Sequence, residues 1–539
     1  MTPVVLSNQI FNDIALCLSG GGYRAAAYHL GALDLLDELD LLPQVKLLST
    51  VSGGSILGMS YAVWRIEGQP FGAFYEFFYK FLLRRNVVED ALAGLRDSTK
   101  TVATQNPSLI RAAAQVYANE LFQDRRFKLL LDKAGAEFKE LIFNATEFRI
   151  GASFRFRASR NPQAVIGNNY FRVDRGVAEQ IRLADIVAAS SCFPSAFEPI
   201  RFPDDFVWND LAAVRNELKS GFKGSDGKAV TVPLMDGGIY DNQGLDSAKL
   251  AIPVEEAEFG ILLICDTNQR DDEVFDFPVQ PSKGWLPLRW IVRWLRLVLA
   301  LSLVSAFALV MQFWRTLNAE GLSPGAYARV HPYELLFVYL IPFLLTIAVA
   351  GGLVWLRRVG RSLRRVEVAG AVFDVWKMAR ELTVPDLLEM LRARFGSLTA
   401  LASSVFLKRI RNLVARSVFT NPERRDKVAF NVLYELLLSH QKLEEKDPEL
   451  KPSAELRQVA TRAERMATTL WFANEDELKN LIICGQATTC FNLLRFLQQR
   501  YGEQLRDSQN EAARLYLRLK EKWLALNQDA ACLLRRPRA

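Results

Sequence analysis

Residues 18–24 read Leu-Ser-Gly-Gly-Gly-Tyr-Arg, and residues 50–55 read Thr-Val-Ser-Gly-Gly-Ser. An apolar run with strand character precedes each stretch, and a segment that favours a helix follows it. Glycines at such a junction allow backbone angles that other residues avoid, and they bring N–H groups close to a bound group. The pattern predicts an α/β fold with functional turns between strands and helices.

The first turn contains Gly20, Gly21 and Gly22, which are candidate oxyanion- or substrate-binding residues. N–H groups at the start of a helix favour negative charge, and the tetrahedral intermediate of acyl transfer carries such a charge. A nucleotide-binding turn is the alternative. However, no Gly-Lys-Ser/Thr follows, and the glycine spacing differs from that of a dinucleotide fingerprint.

Two further turns carry side chains suited to catalysis. Ser52 ends the apolar run 45–51 and precedes two glycines and an apolar helix, an order typical of a nucleophile elbow. Asp236 follows an apolar lead-in and precedes Gly237 and Gly238. The plainer alternatives are a flexible Ser-Gly-Gly-Ser loop and an Asx turn with a solvated carboxylate.

In this order, the segments 20–24, 51–54 and 236–238 resemble the patatin-like phospholipase family. Residues 183–194 are similar to the small-residue segment of that family that ends in proline. The resemblance covers about residues 10–266 and implies a three-layer α/β/α domain. Thr50 departs from the pattern, because the family usually has the first glycine of the elbow at this position.

The resemblance implies a catalytic dyad of Ser52 and Asp236 without histidine. Ser52 would attack the acyl carbonyl, and Asp236 would accept its proton and later assist a water molecule. The family needs no metal and no cofactor, so we expect none here. Arg24 has two interpretations of equal weight: it holds a lipid phosphate or orients the loop, or it is a surface or ion-paired structural arginine.

Only three histidines, His29, His331 and His440, could complete a Ser-His-Asp triad. His29 fits a packed helix residue, and His331 lies between two long apolar segments. His440 would serve an α/β-hydrolase with a late histidine, which is a rival catalytic hypothesis.

The composition indicates a lipid-facing protein without nucleic-acid partners. The 539 residues suffice for two or three domains, half of them are apolar, and the formal charge is +7. The basic residues are scattered without a nucleic-acid motif, so the charge is better explained by anionic lipid. The six cysteines show no metal or disulfide spacing, which is typical of reduced thiols in a cytosolic compartment.

Segments 297–314 and 335–356 contain no charged residue. As helices, each is long enough to cross a hydrocarbon core of about 30 Å. Basic residues flank the pair more densely than they occupy the connecting loop, so the positive-inside rule places both ends in the cytoplasm. A buried helical hairpin or a re-entrant pair is the alternative.

The expected architecture is a catalytic domain over 1–285, a transmembrane helical hairpin over 286–360 and a helical C-terminal region over 361–539. Part of the last region, around 470–489, resembles helices that complete patatin-like domains. We expect a multi-pass membrane protein with its catalytic domain on the cytoplasmic side. It would hydrolyse acyl esters of phospholipids or lysophospholipids in the bilayer, by phospholipase A or lysophospholipase chemistry. The alternative is a catalytically silent, membrane-anchored scaffold that binds lipid or a partner.

Overall fold

The computed structural model describes residues 11–538, apart from positions 12, 97–107, 195, 219–230, 253–258, 271–286, 321–340, 363–365, 369–370, 374–381, 441–444, 446 and 508. The chain divides into two compact units. Met1–Asp272 together with Val405–Ala539 forms the first unit, and Glu273–Ser404 forms the second. All three predicted functional turns lie in the first unit.

A mixed sheet forms the centre of the first unit. The strands in the described part of the chain are β1 Ile14–Leu18, β2 Val45–Val51, β3 Glu140–Glu147, β4 Ala152–Ser159, β5 Ile200–Phe202, β6 Val232–Asp236, β7 Ile261–Asp266, β8 Val366–Val368, β9 Ala371–Phe373 and β10 Val428–Val432. The order across the sheet is β10-β7-β1-β2-β3-β6-β5, and β4 pairs with β3. The five strands from β10 to β3 run parallel, whereas β4, β5 and β6 are antiparallel to their neighbours.

Helices cover both faces of this sheet. The helices in the described residues of both units are α1 Gly22–Glu38, α2 Gly53–Ile66, α3 Phe71–Arg84, α4 Val87–Arg96, α5 Leu109–Tyr117, α6 Lys128–Glu137, α7 Arg175–Gln180, α8 Leu183–Ser190, α9 Leu211–Leu218, α10 Gly238–Asp241, α11 Leu245–Ala251, α12 Leu288–Glu320, α13 Ile341–Ser362, α14 Val384–Ala400, α15 Leu407–Phe419, α16 Pro422–Arg425, α17 Ala454–Arg465, α18 Glu475–Tyr501 and α19 Glu511–Gln528. Of these, α12, α13 and α14 belong to the second unit.

The two faces of the sheet lie in separate cores because successive strand side chains point to opposite sides. Leu16 and Leu18 of β1 join a large core with α1, α2 and α18. Ala15 and Cys17 of the same strand join a smaller core with α11 and α15. The arrangement is a mixed α/β sheet between helical layers, consistent with the expected α/β/α architecture.

The C-terminal region completes the first unit and is largely helical. β10 extends the sheet beside β7, and α18 packs against α1 at very short range. A Cβ atom at Gly31 would lie 2.0 Å from the Ile482 carbonyl oxygen, and one at Gly485 would lie 2.0 Å from that of Tyr28. Only glycine permits the two helices to approach so closely.

The second unit supports one candidate membrane span instead of the predicted pair. Residues 289–308 in α12 have a mean hydropathy of 1.8 and are long enough to cross a bilayer. The apolar part of α13, Thr346–Trp355, gives about 15 Å of helix, half the thickness of a hydrocarbon core. The remaining part of the second predicted segment, 335–340, lies outside the described residues. The expectation of a transmembrane hairpin is therefore not supported.

Candidate active site

Strand register brings Ser52 level with Asp236. Val51, the last residue of β2, pairs with Asn144 of β3, and Asp236, the last residue of β6, pairs with Ala145. Ser52 follows Val51 directly, so the serine and the aspartate lie at the same level on opposite sides of β3. β2 runs parallel to β3, whereas β6 runs antiparallel to it. The last residues of β2 and β6 therefore meet from opposite directions partway along β3.

Ser52 occupies a sharp turn between β2 and α2. Its dihedral angles are φ 52° and ψ −120°, a region that residues with a side chain rarely adopt. The Ser52 N–H donates a hydrogen bond to the Ser190 hydroxyl at 3.0 Å, and the residue is 6% exposed. This strained strand-to-helix turn is the geometry of a nucleophile elbow.

Thr50 fits beneath the elbow because a glycine lies opposite it. A Cβ atom at Gly58 would lie 2.5 Å from the Thr50 methyl carbon, so the absence of a side chain in α2 provides the room. The Thr50 hydroxyl pairs with that of Ser55 at 2.8 Å. The departure from the family pattern at Thr50 is thus accommodated without loss of the turn.

The glycine loop after β1 lies directly against the elbow. A Cβ atom at Gly20 would lie 3.0 Å from the Ser52 Cβ atom and 2.3 Å from Asn242 Oδ1. One at Gly53 would lie 2.0 Å from the Gly22 carbonyl oxygen. The two turns approach each other backbone to backbone, and side chains at these glycines would separate them.

Free N–H groups remain where the two turns meet. The Gly20 N–H is occupied, since it donates to Asn242 through both the carbonyl oxygen at 2.9 Å and Oδ1 at 3.0 Å. Among the described residues, no acceptor pairs with the N–H groups of Gly21, Gly22 and Gly53. These three donors beside Ser52 are suited to an oxyanion.

Asp236 is a buried carboxylate in contact with the serine. It is 3% exposed, and its Oδ1 accepts a hydrogen bond from the Gly238 N–H at 2.7 Å. Burial raises the pKa of Asp236 from 3.8 to about 6, while hydrogen bonds from Ser52 and Gly238 and the charge of Arg411 lower it. The carboxylate is therefore a stronger base than usual and is still ionised at pH 7.

Arg24 lies inside the first unit, where its Nη1 and Nη2 atoms are engaged. Its Nη1 donates to the Met466 carbonyl oxygen at 3.0 Å and its Nη2 to that of Thr267 at 3.1 Å. Burial, helped by the charge of Arg411, lowers the pKa of Arg24 to about 10. In this position Arg24 ties the start of α1 to the segment that follows β7.

The two described histidines make no hydrogen bond with the dyad. His29 Nε2 pairs with the Ser19 carbonyl oxygen at 3.0 Å, and burial lowers the pKa of His29 to about 4, so this ring is neutral at pH 7. His440 Nε2 lies 3.1 Å from a carboxylate oxygen of Glu435. His331 lies outside the described residues. Among the described side chains, no cluster of three or more His, Cys, Asp or Glu residues is suited to a metal ion.

Sequence reasoning missed three residues of the site. Gly53 adds an N–H donor, and its position directly after the nucleophile is the signal that could have identified it. Ser190 supports the Ser52 backbone and donates to the Asn144 carbonyl oxygen at 2.6 Å. Asn242 holds the glycine loop from the turn that follows Asp236. Ser190 and Asn242 act through contacts between residues far apart in the chain, for which the sequence offers no local signal.

Comparison with known protein families places this geometry in context. Residues 16–249 match the model of the patatin-like phospholipase family. The match begins in β1 and ends in α11, so it includes the glycine loop, the elbow and Asp236. No curated protein matches the chain.

Proposed function

We propose that this chain, whose residues 16–249 match the model of the patatin-like phospholipase family, is a serine lipid acyl hydrolase acting on membrane phospholipids or lysophospholipids. One observation carries the proposal. The strained Ser52 turn meets the buried carboxylate of Asp236, with free backbone donors beside them. This combination suits nucleophilic attack on an ester more than it suits lipid binding alone.

In the first half-reaction, Ser52 attacks the carbonyl carbon of the acyl ester. Asp236 accepts the hydroxyl proton as the Ser52 Oγ–carbon bond forms. The negative charge that develops on the carbonyl oxygen is stabilised by the N–H groups of Gly21, Gly22 and Gly53. The intermediate collapses as the bond to the alcohol oxygen breaks, and that oxygen takes the proton from Asp236.

In the second half-reaction, water attacks the acyl-enzyme. Asp236 takes a proton from the water as the new carbon–oxygen bond forms. The bond to Ser52 then breaks, and the proton returns to the serine oxygen. The products are a free fatty acid and the unmodified enzyme, and no step requires a histidine.

The electrostatics of Asp236 suit this role. A general base works best when its pKa lies near the operating pH. Burial raises the pKa of Asp236 to about 6, so most molecules carry the ionised base at neutral pH. An exposed aspartate would be ionised as well but would accept the serine proton less readily.

Attachment to a membrane through α12 is part of the proposal. The apolar segment 289–308 supports one span, and basic residues at 289, 293 and 296 favour a cytoplasmic position for the preceding catalytic residues. Tethering would keep the active site at a high effective concentration of lipid substrate.

Fatty-acid release from lipid vesicles by matched variants tests the proposal. Ser52→Ala is expected to lower the rate by at least about 1000-fold, as in other serine hydrolases. Ser60→Ala is the control, because Ser60 is a buried serine of α2 whose hydroxyl donates to the Ile56 carbonyl oxygen of the same helix. His440→Ala should retain activity.

Full activity of Ser52→Ala would overturn the dyad. Inactivation by His440→Ala, with a normally folded protein, would favour a triad with a late histidine. Membrane binding by the wild type without release from any ester would favour the silent scaffold.

A further inference from the structure

Helix α14 of the second unit exposes a row of large apolar side chains. Leu388 is 49% exposed, Leu391 is 40%, Phe395 is 69% and Leu398 is 62%. A single exposed apolar residue is ordinary on a protein surface, whereas a contiguous group usually marks a site that contacts a protein or a membrane. These four residues, the apolar row of α14, therefore call for an explanation.

The apolar row occupies one face of the helix. An α-helix turns by about 100° per residue, so the intervals of three, four and three residues place the four side chains within an arc of about 80°. Residues three or four apart are neighbours on a helix surface, and the row is continuous along about 15 Å of α14. A stripe of this kind normally faces a protein core, but here it faces outward.

Charged side chains of α14 are sorted by sign around the apolar row. Arg392 and Arg394 are both exposed, and they lie about 40° outside the two edges of the arc, one on each side. Asp386 and Glu389 lie about 100° or more from the nearer edge. The cations therefore flank the row, and the carboxylates lie on the far side of the helix.

The start of α14 lies beside the start of the candidate membrane span. The Asp386 N–H donates to Thr383 Oγ1 at 3.3 Å and the Thr383 N–H donates to Asp386 Oδ2 at 3.2 Å, which is a capping box. An antiparallel β-bridge joins Thr383 to Pro287. Pro287 directly precedes α12, whose apolar segment begins at Arg289. Both helices thus begin at one point of the second unit.

The arrangement of charge around the apolar row fits a lipid surface. Such a surface places a hydrocarbon layer directly below a layer of phosphate groups. An arginine can bury its apolar stem beside the acyl chains while its guanidinium group reaches a phosphate. An apolar face with basic edges and an acidic far side is typical of a helix that lies in the plane of the membrane surface. A protein groove would match the apolar row but would not explain cations along both edges.

We propose that α14 lies on the surface of the membrane that α12 enters, with its apolar row in the acyl-chain layer and Arg392 and Arg394 beside the phosphates of anionic lipids. The inference rests on the membrane attachment proposed for α12 and adds a second, peripheral contact to it. It does not depend on the chemistry at Ser52.

Fluorescent labels on two sides of α14 test this arrangement in the full-length protein, reconstituted into nanodiscs of phosphatidylcholine and phosphatidylglycerol. Leu398→Cys and Ser397→Cys place the label at adjacent exposed positions about 100° apart around the helix. A nitroxide on the lipid acyl chains should quench the label at position 398 at least about threefold more strongly than the label at position 397. Iodide in the water should quench them in the reverse order.

The native cysteines allow this labelling. Five of the six are buried, and Cys532 is half-buried. The unmodified protein, treated with the same dye, gives the background from these thiols. Ser52→Ala combined with Leu398→Cys should show the same quenching, since the contact requires no catalysis.

The flanking arginines provide a second readout. Arg392→Gln with Arg394→Gln, in the Leu398→Cys background, should weaken quenching by the acyl-chain nitroxide roughly twofold or more in discs with phosphatidylglycerol. The same variant should change little in discs of phosphatidylcholine alone. Glu389→Gln is the matched control on the far side of the helix and should not weaken quenching. An equal loss in both kinds of disc would contradict the contact between the arginines and anionic lipid.

Three further outcomes would overturn the surface helix. Strong quenching of the label at position 398 by iodide would mean that the apolar row faces water. Protection of that label from both quenchers would mean that protein covers the row, as in pairing with a second copy of the chain. In both cases the protein still migrates with the discs, and attachment through α12 stands. If the protein does not migrate with the discs, the two membrane contacts fail together, while labelling of Ser52 by a fluorophosphonate still tests the hydrolase separately.

Discussion

The two units of the chain expose their apolar side chains in opposite ways. In the first unit every residue of β1 is buried, whereas Val304 and Phe307 of α12 in the second unit are each 67% exposed. Exposed apolar surface is unfavourable in water but not in hydrocarbon. The contrast supports the proposed attachment to a membrane through α12.

Four glycines of the two units also differ in their surroundings. In the first unit, a side chain at Gly20 or Gly31 would overlap neighbouring atoms. In α13 of the second unit, a Cβ atom at Gly351 or Gly352 would have nothing within 4 Å. Close backbone packing is therefore found at Gly20 and Gly31 and not at Gly351 and Gly352, and matched substitutions at these positions examine it directly.

The largest expected effect is on catalysis at Gly20. Gly20→Ala places a Cβ atom 2.3 Å from Asn242 Oδ1, so the loop must shift and carry the oxyanion donors with it. We expect fatty-acid release to fall by roughly 100- to 1000-fold, whereas Gly352→Ala should keep wild-type activity. Near-normal turnover of Gly20→Ala would show that the loop position is not required.

The next effect concerns membrane attachment. Val304→Arg places a charge within the candidate span of α12, at a cost of about 2.5–3.5 kcal/mol near the centre of a spanning helix. Alkaline extraction of membranes should release this variant but retain wild type and Val304→Leu. Equal retention of all three proteins would argue that α12 does not anchor the chain.

A smaller effect is expected on stability at the contact between α1 and α18. Gly31→Ala overlaps the Ile482 carbonyl oxygen and should lower the free energy of unfolding by about 1–3 kcal/mol. Gly351→Ala should leave it unchanged or raise it by up to about 1 kcal/mol, since alanine favours helices. Denaturant unfolding measures the free energy of unfolding of both variants. A similar decrease in Gly31→Ala and Gly351→Ala would contradict the difference in packing between the two positions.

The dependence of stability on pH gives an effect of similar size, confined to a pH range. Because the pKa of Asp236 is raised from 3.8 to about 6 on folding, the folded state holds its proton more tightly, and the stability from this group falls as pH rises between those values. Asp236→Asn should therefore raise the free energy of unfolding at pH 7 by about 1–3 kcal/mol. The gain should vanish below about pH 4. A variant less stable than wild type at pH 7 would contradict the burial argument.

The sequence was most informative where function depends on neighbouring residues. The glycine loop, the Ser52 elbow and the Asp236 turn are local arrangements of strand, glycine and helix, and the structure brings them together. Which core each residue of β1 joins also follows from alternation along the strand. These features need no knowledge of distant contacts.

Other features depend on parts of the chain that meet only in the folded protein. The Ser52 N–H donates to the Ser190 hydroxyl, which lies 138 positions away in the chain. The Gly20 N–H donates to Asn242 Oδ1, which lies 222 positions away. The space for the Thr50 side chain exists because Gly58 of α2 has no side chain. This contact forms only when α2 packs against β2, so the sequence alone does not show it. The second predicted span was based on an uncharged segment with basic flanks, and in the described residues the apolar part of α13 is shorter than a span.

The central claim, that Asp236 activates Ser52 as its base, is tested most directly by the rate at which a fluorophosphonate labels Ser52 as a function of pH. The wild-type rate should be constant above about pH 7 and fall about tenfold per pH unit well below the Asp236 pKa of about 6. Asp236→Asn should label at least about 100-fold more slowly at every pH. Labelling of Asp236→Asn at the wild-type rate, or a wild-type rate without a decline at low pH, would contradict the claim.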